Sequence, residues 1–442
     1  MKKIRFTIRL LSLFLIRYRF LVILGFLLGI FFFFFLPQLS GFIPKRKPTE
    51  TIGIVGRFRP SEIPLEIQNL ISFGLTKLDQ DGTSTPGIAN DWKVEEGSKV
   101  YTFFLRDNLF WHDGSKVTAS DINYNFQDVS VEILDPKTIR FRLKEPFSPL
   151  PEVVSRPVFK KGLVGVGPYK VKKITKTGQF VEAISLDSLS REKPNLKYRF
   201  YPTEETGKIA LKLGEVRKLV DLTNPNGFTN WKNIKVFSRV RQDRFVGIFL
   251  NTQKPYLEEK NFRQALAYTT KKEQGKTRAY GPLSPLSWAY SEDVKAYNYD
   301  LENAKRLLNK VLEKKEKKEI TIRLSTVPSL LSEAEKIKNS WQDLGVKVEI
   351  GAFTQLGEDF DILLATQEIP KDPDQYSLWH STQTGNITQF KNPRIDKLLE
   401  DGRKTQNREE REKIYFDFQR FLVEEVPVIF LYHPTTYEIS RK

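Results

Sequence analysis

The 442-residue chain contains no cysteine and only three histidines. The lack of cysteine excludes disulfide scaffolds, thiolate zinc sites, iron–sulfur clusters, cysteine nucleophiles and lipoproteins anchored through cysteine. No two of His112, His380 and His433 lie within one helical turn of each other. This spacing excludes motifs that place paired imidazoles on one helix face, such as H-E-x-x-H. We therefore expect no histidine-rich metal site.

Motifs for nucleotide cofactors and for common nucleophiles are also missing. Gly165-Val-Gly167 begins like a dinucleotide fingerprint, but Pro168 follows it and the third glycine is absent. The chain has no G-x-x-x-x-G-K-[ST] loop and no G-x-S-x-G elbow. His112 is adjacent to Asp113, which favours a tight turn over a catalytic pair. These absences predict a protein that is not an enzyme and holds neither a cofactor nor a metal.

Acidic residues are absent from the first 48 positions, which hold nine Lys or Arg. The formal net charge is +17, so the rest of the chain carries an excess of only eight positive charges. Basic residues interleaved with aromatics, as in Arg239–Phe245, can bind nucleic acid. The hydrophobic run described next predicts that most of the chain lies outside the membrane, where it does not meet nucleic acid. We therefore expect no nucleic-acid partner.

One long hydrophobic run extends from Phe20 to Leu36, 17 residues without a charge. At ~1.5 Å per residue, about 17 to 25 helical residues match a hydrocarbon core of roughly 30 Å. Six Lys or Arg precede the run and three follow it, which favours a cytoplasmic N-terminus. The run is longer than that of a cleavable signal, and no A-x-A-like site follows. We predict a cytoplasmic basic segment (1–19), one uncleaved transmembrane helix in the cell membrane (20–43), a tether (44–50) and an extracytoplasmic remainder.

Strand and helix patterns alternate after the tether. Ile320–Leu324 alternates with polar residues, Leu330–Leu344 carries one apolar helical face, and Val346–Ile350 alternates again. This β-α-β order implies a parallel strand pair with a right-handed crossover. Tyr101–Leu143 instead indicates half-buried strands around a short helix. The patterns predict an α/β protein with two lobes. Further predicted elements are a helix at Asp300–Val311, a strand at Phe360–Ala365, a helix at Glu409–Glu425 and a strand at Val428–Tyr432.

Short stretches in a fixed order carry a family resemblance. They are Thr85–Trp92 (TPGIANDW), Tyr101–Arg106 (YTFFLR), Trp111–Gly114 (WHDG), Val117–Asp121 (VTASD), Val166–Tyr169 (VGPY), Gly214–Val216 (GEV), Asn261–Leu266 (NFRQAL), Tyr299–Leu308, Asp372–Pro373, Asn392–Asp396 (NPRID), Arg411 and Pro427–Leu431 (PVIFL). The ordered set resembles the family 5 solute-binding proteins of ABC importers, the dipeptide- and oligopeptide-binding group. The resemblance covers about Thr51 to Tyr437.

The resemblance implies a two-lobed, periplasmic-binding-protein-like fold of type II, in its large three-domain variety, which closes on a ligand by hinge motion. Only 43 residues separate Asp121 from Gly165, where the family usually inserts a longer helical segment, so the second domain is expected to be reduced. The implied partners are a peptide or similar polar ligand, an ABC permease with its ATPase subunits, and the membrane. The expected domains are lobe I (51–80, 160–252 and 429–442), a reduced sheet-rich subdomain (81–159) and lobe II (253–428).

The resemblance also implies that the ligand lies between the lobes as an added strand. In the peptide-binding members, an aspartate shortly before the position of Asp372 captures the ligand's α-ammonium group, and ungapped alignment places Ile369 there. Glu368 is the nearest acid upstream and our candidate for this role, because a carboxylate buried by closure needs a cation. An exposed rim position for Glu368 is the alternative. The predicted ligand-binding residues are Ser61, Glu62, Ile63, Ala365, Thr366, Gln367, Glu368, Asp372, Tyr376 and Trp379.

Two rival functions remain open from the sequence. In the first, the chain is a receptor or assembly protein that has lost its small ligand and contacts another membrane protein. The shortened second domain and the missing aspartate motivate this hypothesis. In the second, the chain is an extracytoplasmic hydrolase, which is disfavoured because no nucleophile, base and orienting group can be identified together.

Overall fold

The computed structural model describes residues 14, 16–40, 47–275, 277–315, 319–352 and 359–442, with the side chains of these residues except 36–40 and 315. The chain divides into two compact units, Met1–Thr49 and Glu50–Lys442. Parts of three predicted segments lie outside the described residues. They are 1–13 and 15 of the basic segment, 41–43 of the anchor and 44–46 of the tether.

Helix α1 (Arg19–Ser40) belongs to the first unit. It has no acidic residue in its first turn and no basic residue in its last. Within the part of the chain described above, no helix combines the length and the apolar character that crossing a membrane requires.

The strands and helices of the second unit are numbered along the chain. The strands are β1 (Thr49–Val55), β2 (Thr76–Leu78), β3 (Ser84–Pro86), β4 (Ala89–Glu95), β5 (Val100–Leu105), β6 (Val129–Asp135), β7 (Thr138–Leu143), β8 (Tyr169–Thr177), β9 (Phe180–Ser188), β10 (Asn195–Tyr201), β11 (Lys218–Leu222), β12 (Ile234–Val240), β13 (Arg244–Leu250), β14 (Ile320–Thr326), β15 (Val346–Ala352), β16 (Ile362–Glu368), β17 (Val428–Tyr432) and β18 (Thr435–Arg441). The helices are α2 (Leu65–Ile71), α3 (Leu150–Val153), α4 (Glu204–Leu213), α5 (Lys260–Thr269), α6 (Leu301–Lys315), α7 (Leu331–Gln342), α8 (Tyr376–Trp379), α9 (Pro393–Lys404) and α10 (Arg408–Glu425).

A mixed seven-stranded sheet, in the order β12-β18-β11-β1-β10-β9-β8, forms what we call lobe I together with α2 and α4. β1 and β11 run parallel, whereas β18 is antiparallel to both β11 and β12. Helix α4 begins after Thr203, whose hydroxyl accepts the backbone N–H of Thr206 at 3.3 Å. It ends at Gly214, whose φ of 82° suits glycine. Two apolar clusters pack on the sheet, one around Ile184 and one around Leu219.

A five-stranded sheet, in the order β15-β14-β16-β13-β17, forms the second large body, which we call lobe II, together with α5 to α10. The predicted β-α-β unit is confirmed: β14, α7 and β15 follow one another, and the two strands pair in parallel. Gly345, with a φ of 92°, leads from the helix end into β15. Trp341 on α7 is fully buried, and its indole N–H donates to the hydroxyl of Thr270 at 3.0 Å.

A smaller antiparallel sheet, β4-β5-β7-β6, lies between β3 and α3 in the chain. Its core is aromatic, with Tyr101, Phe103 and Phe141 almost completely buried. This subdomain contacts lobe II: the N–H of Ser148 donates to the carbonyl oxygen of Arg403 at 2.6 Å. The predicted helix after Thr118 is one 3₁₀ turn, Ala119–Asp121.

The hydrogen-bond ladders change two expected boundaries. The sequence-based division assigned 160–252 and 429–442 to lobe I. However, β13 pairs with β16 and β17 in the sheet of lobe II. β17 therefore belongs to lobe II as well, and only β18 returns to lobe I. The correction arises because strand partners distant in sequence decide which sheet a strand joins.

Candidate ligand-binding cleft

The chain passes between the two large sheets at two neighbouring places. Residues 241–243 join β12 to β13, and residues 433–434 join β17 to β18. The backbone N–H of Arg241 donates to the carbonyl oxygen of Pro434 at 2.8 Å, so the two crossings lie side by side. We call these two segments the junction. Short paired crossings of this kind allow two lobes to close about a hinge.

An ion-pair network surrounds the first crossing. The guanidinium of Arg241 lies 2.6 Å from Asp221, 2.6 Å from Asp243 and 3.9 Å from Glu66. The hydrogen bond to Asp243 raises the pKa of Arg241 above its ordinary value, although burial opposes this. Burial alone would raise the pKa of Asp243, but the hydrogen bond and charge of Arg241 hold it below the usual range. Both groups are therefore charged at neutral pH.

This network stands at the carboxyl ends of the parallel strands β1 and β11. Asp221 is the next-to-last residue of β11, and β1 runs in the same direction beside it. Open α/β sheets bind their ligands outside the carboxyl ends of the strands. The junction therefore marks the end of lobe I where a ligand is expected.

The predicted residues 61–63 lie near the same network. Ile63 is 2% exposed and packs in the core of lobe I, whereas the two residues before it are exposed. The carboxylate of Glu62 closes a single 3₁₀ turn by accepting the backbone N–H of Arg59 at 3.2 Å. Glu66, four residues further on, reaches to within 3.9 Å of Arg241. The polar side chains of this segment thus face solvent close to the junction.

The predicted residues 365–368 form the end of β16, which is paired along one side. β13 pairs with β16 as far as Glu368, whereas β14 pairs with it only as far as Leu364. Beyond that point, the second edge of β16 has no strand partner among the residues that the structure describes. Thr366 and Glu368 are exposed, and the residues alternating with them are half-buried. An extended ligand has an available backbone edge here.

Glu368 stands directly opposite Arg244 in the β13–β16 ladder. The side chain of Arg244 is 20% exposed and lies 3.4 Å from Asp221, and its buried Nε makes no described hydrogen bond but lies 3.8 Å from the Asp243 carboxylate. Cross-strand pairs of opposite charge attract each other. Ile369 is 7% exposed, and its backbone N–H donates to the carbonyl oxygen of Asp243 at 2.8 Å. Sequence reasoning missed Arg244, because its position depends on the register of two strands that are distant in sequence.

Asp372 lies in a buried ion pair away from the strand edge. Two of its contacts are with the guanidinium of Arg411, at 2.9 and 2.5 Å, and both side chains are 8% exposed. Its backbone N–H donates to the carboxylate of Glu152 in α3 at 3.3 Å. Burial and the charge of Asp372 raise the pKa of Glu152 to about 8, so this carboxyl is protonated at neutral pH. The cluster joins lobe II to the small subdomain, and ligand contact by Asp372 stays a prediction.

Tyr376 and Trp379 both belong to α8, with different surroundings. The ring of Tyr376 stacks on His380 with centroids 4.1 Å apart, and the guanidinium of Arg403 lies 3.9 Å from its centroid. Trp379 is 3% exposed in the core of lobe II, and its indole N–H donates to Gln375 at 3.1 Å. Stacking of either ring on a ligand stays a prediction.

Comparison with known proteins gives a consistent result. The family profile "Bacterial extracellular solute-binding proteins, family 5 Middle" matches residues 83–389. The oligopeptide-binding protein AppA of Bacillus subtilis is 23% identical over 477 residues, covering 89% of this chain and 88% of AppA. The dipeptide-binding protein of Escherichia coli is also 23% identical, covering 81% of this chain and 82% of its own length. The crystal structure of NikZ from Campylobacter jejuni in complex with Ni(L-His) has a TM-score of 0.74 and 25% identity, covering 90% of this chain and 94% of NikZ.

Proposed function

This chain belongs to the bacterial extracellular solute-binding proteins of family 5, and we propose that it captures a peptide or a similar polar solute between lobes I and II and delivers it to an ABC importer. Membership of this family confirms the prediction of a binding protein that is not an enzyme. The names of two relatives indicate oligopeptide and dipeptide ligands. The permease and its ATPases would be separate chains.

The observation that carries this proposal is the half-paired end of β16 beside the junction. Residues 365–368 offer backbone groups to an extended ligand on the side that β14 leaves open. A ligand held as an added strand gains affinity from main-chain hydrogen bonds, and pockets for alternate side chains set its specificity. Rotation about the junction would then bring the exposed residues 61–62 of lobe I over it.

Charged groups at this edge point to a ligand with ionic ends. Ile369 provides no carboxylate for an α-ammonium group, but the exposed Glu368 next to it does. Arg244, opposite Glu368, is ion-paired with Asp221 at 3.4 Å and with Asp243 at 3.8 Å, and its guanidinium, 20% exposed, could also bind a ligand carboxylate. We assign the ammonium group of the ligand to Glu368 and a carboxylate to Arg244.

Isothermal titration calorimetry on the full chain in detergent tests this assignment. Peptides of two to five residues with a free amine are compared with their N-acetylated forms. We expect acetylation to weaken binding about tenfold or more, because a charge-assisted hydrogen bond is lost. Glu368→Gln should remove that difference, whereas Glu349→Gln, an exposed acid on β15 of the same lobe, should preserve it.

The possible outcomes separate the parts of the proposal. Equal affinities for free and acetylated peptides would exclude ammonium capture by Glu368 and leave peptide binding intact. Absence of binding by every peptide would exclude peptide capture itself. Ni(L-His), the ligand in the NikZ structure, belongs in the same titration series because that protein has a similar fold.

We also propose that the N-terminal segment anchors the binding domain at the outer face of the cell membrane. The support comes from the sequence, in which an uncharged run follows six basic residues. The run extends to Leu36, one residue beyond the described side chains of α1. Alkaline carbonate should leave the full chain in the membrane pellet and release a variant lacking residues 2–43. Release of both forms would refute anchoring.

The rival assembly role is less well supported, since the named relatives are binding proteins. A true binder gains about RT ln(1 + [L]/Kd) of stability from its ligand. A melting temperature that does not change across a broad library of peptides and metal chelates would favour assembly instead.

A further inference from the structure

The seven-stranded sheet has a second end, opposite to the junction. β1 and β11 begin at this end, since they run parallel and both finish near the junction. β18 ends here, with Ser440 opposite Lys218 and Arg441 opposite Ile234. β12 therefore begins here too. Residues from four separate parts of the chain therefore meet at this end of the sheet.

Two large apolar side chains at this end are exposed to solvent. Leu213, the last residue of α4, is 71% exposed. Trp231, three residues before β12, is 42% exposed. The indole of Trp231 rests on the buried ring of Phe228, with centroids 5.5 Å apart, so its position is fixed from below.

Four cations lie at the same end of the sheet as these two side chains. Arg217, Lys232, Arg441 and Lys442 are all exposed. No carboxylate lies within 4.0 Å of their charged groups in the portion of the chain that the structure describes. We call these six residues the end patch: Leu213, Arg217, Trp231, Lys232, Arg441 and Lys442.

Backbone contacts hold the end patch together as one surface. The N–H of Arg441 donates to the carbonyl oxygen of Arg217 at 2.8 Å, and its guanidinium donates to that of Lys212 at 2.8 Å. The ammonium of Lys442 donates to the carbonyl oxygen of Lys232 at 2.8 Å. The patch is therefore part of the folded sheet end.

Nearby acids do not cancel this positive charge. Glu438, near this end on β18, is paired with Lys218 at 2.8 Å. Glu215 is paired with Arg199 at 2.9 Å. The exposed surface thus combines an excess of positive charge with an indole and a leucine side chain.

We infer that the end patch binds the surface of a membrane containing anionic phospholipids. Tryptophan is favoured at the boundary between headgroups and acyl chains, because its ring is apolar and its N–H is polar. Basic residues near the surface are attracted by anionic headgroups. The combination of exposed Trp231 and Leu213 with exposed Arg and Lys at one end of the sheet therefore fits a lipid interface.

The chain also enters the folded domain at this end. β1 begins at this end, so the residues preceding Thr49 leave the domain from there. A membrane anchor before Thr49, as proposed above, would therefore be joined to the domain at this end. This step rests on the anchoring proposed above, whereas the composition of the patch does not.

Fluorescence quenching on the full chain tests the inference. All six tryptophans lie between Trp92 and Trp379, none of them in α1. The protein is reconstituted with bilayers of brominated phosphatidylglycerol or brominated phosphatidylcholine. We expect quenching that depends on the anionic lipid, and Trp231→Phe should remove at least half of it. Trp92→Phe, a half-buried indole of the small subdomain, is the matched control and should retain it.

Charge reversal checks the contribution of the cations. Arg217→Glu with Lys232→Glu should reduce the anionic-lipid quenching at least twofold, as should 0.5 M salt. Lys310→Glu with Lys347→Glu reverses two exposed cations of lobe II and should have no effect. Equal quenching in both lipids, or full quenching in Trp231→Phe, would overturn the inference.

The two membrane proposals fail in different ways. Co-flotation of the chain with phosphatidylcholine vesicles reports on the hydrophobic anchor alone, because that surface has no net charge. A chain that does not float with these vesicles but shows quenching by added phosphatidylglycerol vesicles would refute the anchor and support the patch. A chain that floats with phosphatidylcholine vesicles but shows no quenching by phosphatidylglycerol would support the anchor and refute the patch.

Discussion

Two charged clusters of similar composition lie in different surroundings. At the junction, Arg241 contacts Asp221, Asp243 and the exposed Glu66. In lobe II, Arg411 binds Asp372, both side chains are buried, and the backbone N–H of Asp372 donates to Glu152 of the small subdomain. The first cluster lies where the proposed closure would move the lobes relative to each other, and the second lies on lobe II where Glu152 of the small subdomain contacts it.

The difference shows how burial changes the role of an ion pair. Partly exposed pairs contribute little to stability, since water and salt compete for both charges. They can therefore exchange partners when the lobes rotate. A buried pair cannot be separated cheaply, because each charge alone would be left without water or a partner. Asp372 and Arg411 thus hold together the part of lobe II that contacts Glu152 of the small subdomain, while the Arg241 network would permit the proposed motion.

The largest effect is expected from Arg411→Ala. Removing the guanidinium leaves the Asp372 carboxylate buried without a counter-ion, which should lower the free energy of unfolding by about 3 to 5 kcal/mol. Urea unfolding of the full chain, followed by tryptophan fluorescence, measures this change. Lys413→Ala, an exposed cation on the same helix, should change it by less than about 0.5 kcal/mol. Equal effects from the two substitutions would contradict the distinction between the clusters.

A smaller, pH-dependent effect is expected from Glu152→Gln. Burial raises the pKa of Glu152 to about 8 in the folded state, above an unfolded value of about 4.3. The folded chain therefore holds this proton more tightly, and the resulting stability is complete below pH ~4 and lost as the pH rises to ~8. The glutamine variant keeps this stability at high pH. Its free energy of unfolding should therefore exceed that of the wild type by about 2 to 4 kcal/mol at pH 8.5.

Denaturant titrations at pH 5 and pH 8.5 measure this change for the full chain. Glu145→Gln, at an exposed acid just before α3, provides the control and should show no such trend. A Glu152→Gln advantage that is the same at both pH values would show that the carboxyl is not protonated in the fold.

The smallest effect is expected from Arg241→Ala at the junction. Loss of its partly exposed hydrogen bonds should cost about 1 kcal/mol, and 0.5 M salt should reduce this cost further. Salt should leave the Arg411→Ala effect almost unchanged, which is the sharpest contrast between the two clusters. Arg239→Ala, at an exposed position of β12, is the control. A cost at Arg241 that equals the Arg411 cost and resists salt would mean that the junction is as rigid as the subdomain contact.

Local patterns predicted several elements of the fold. The change from a two-residue to a helical period identified β14, α7 and β15, and the proline at 427 marked the boundary between α10 and β17. The assignment of β13 and β17 to lobe II could not be derived, because it depends on pairing with β16. The sequence pattern within a strand does not show which distant strand it pairs with.

Less of the candidate site could be predicted. Residues 365–368 were selected by resemblance, but the open edge beside them follows from β14 ending its pairing at Leu364. Arg244 and Glu152 carry no local signal, since neither lies in a motif and each gains its partner only after folding. Asp372 and Arg411 were both noted in the resemblance, and their pairing required the three-dimensional contact.

The two neighbouring crossings at the junction restrict how the lobes can move relative to each other. A single connecting segment would allow the lobes to rotate in any direction. Two segments joined by the hydrogen bond between Arg241 and Pro434 resist twisting, so bending is the easiest relative motion of the lobes. The closure proposed above would then be motion along one angle. Under the proposed function, a solute would meet the same two surfaces in the same alignment, and the conformational entropy lost on capture would be correspondingly small.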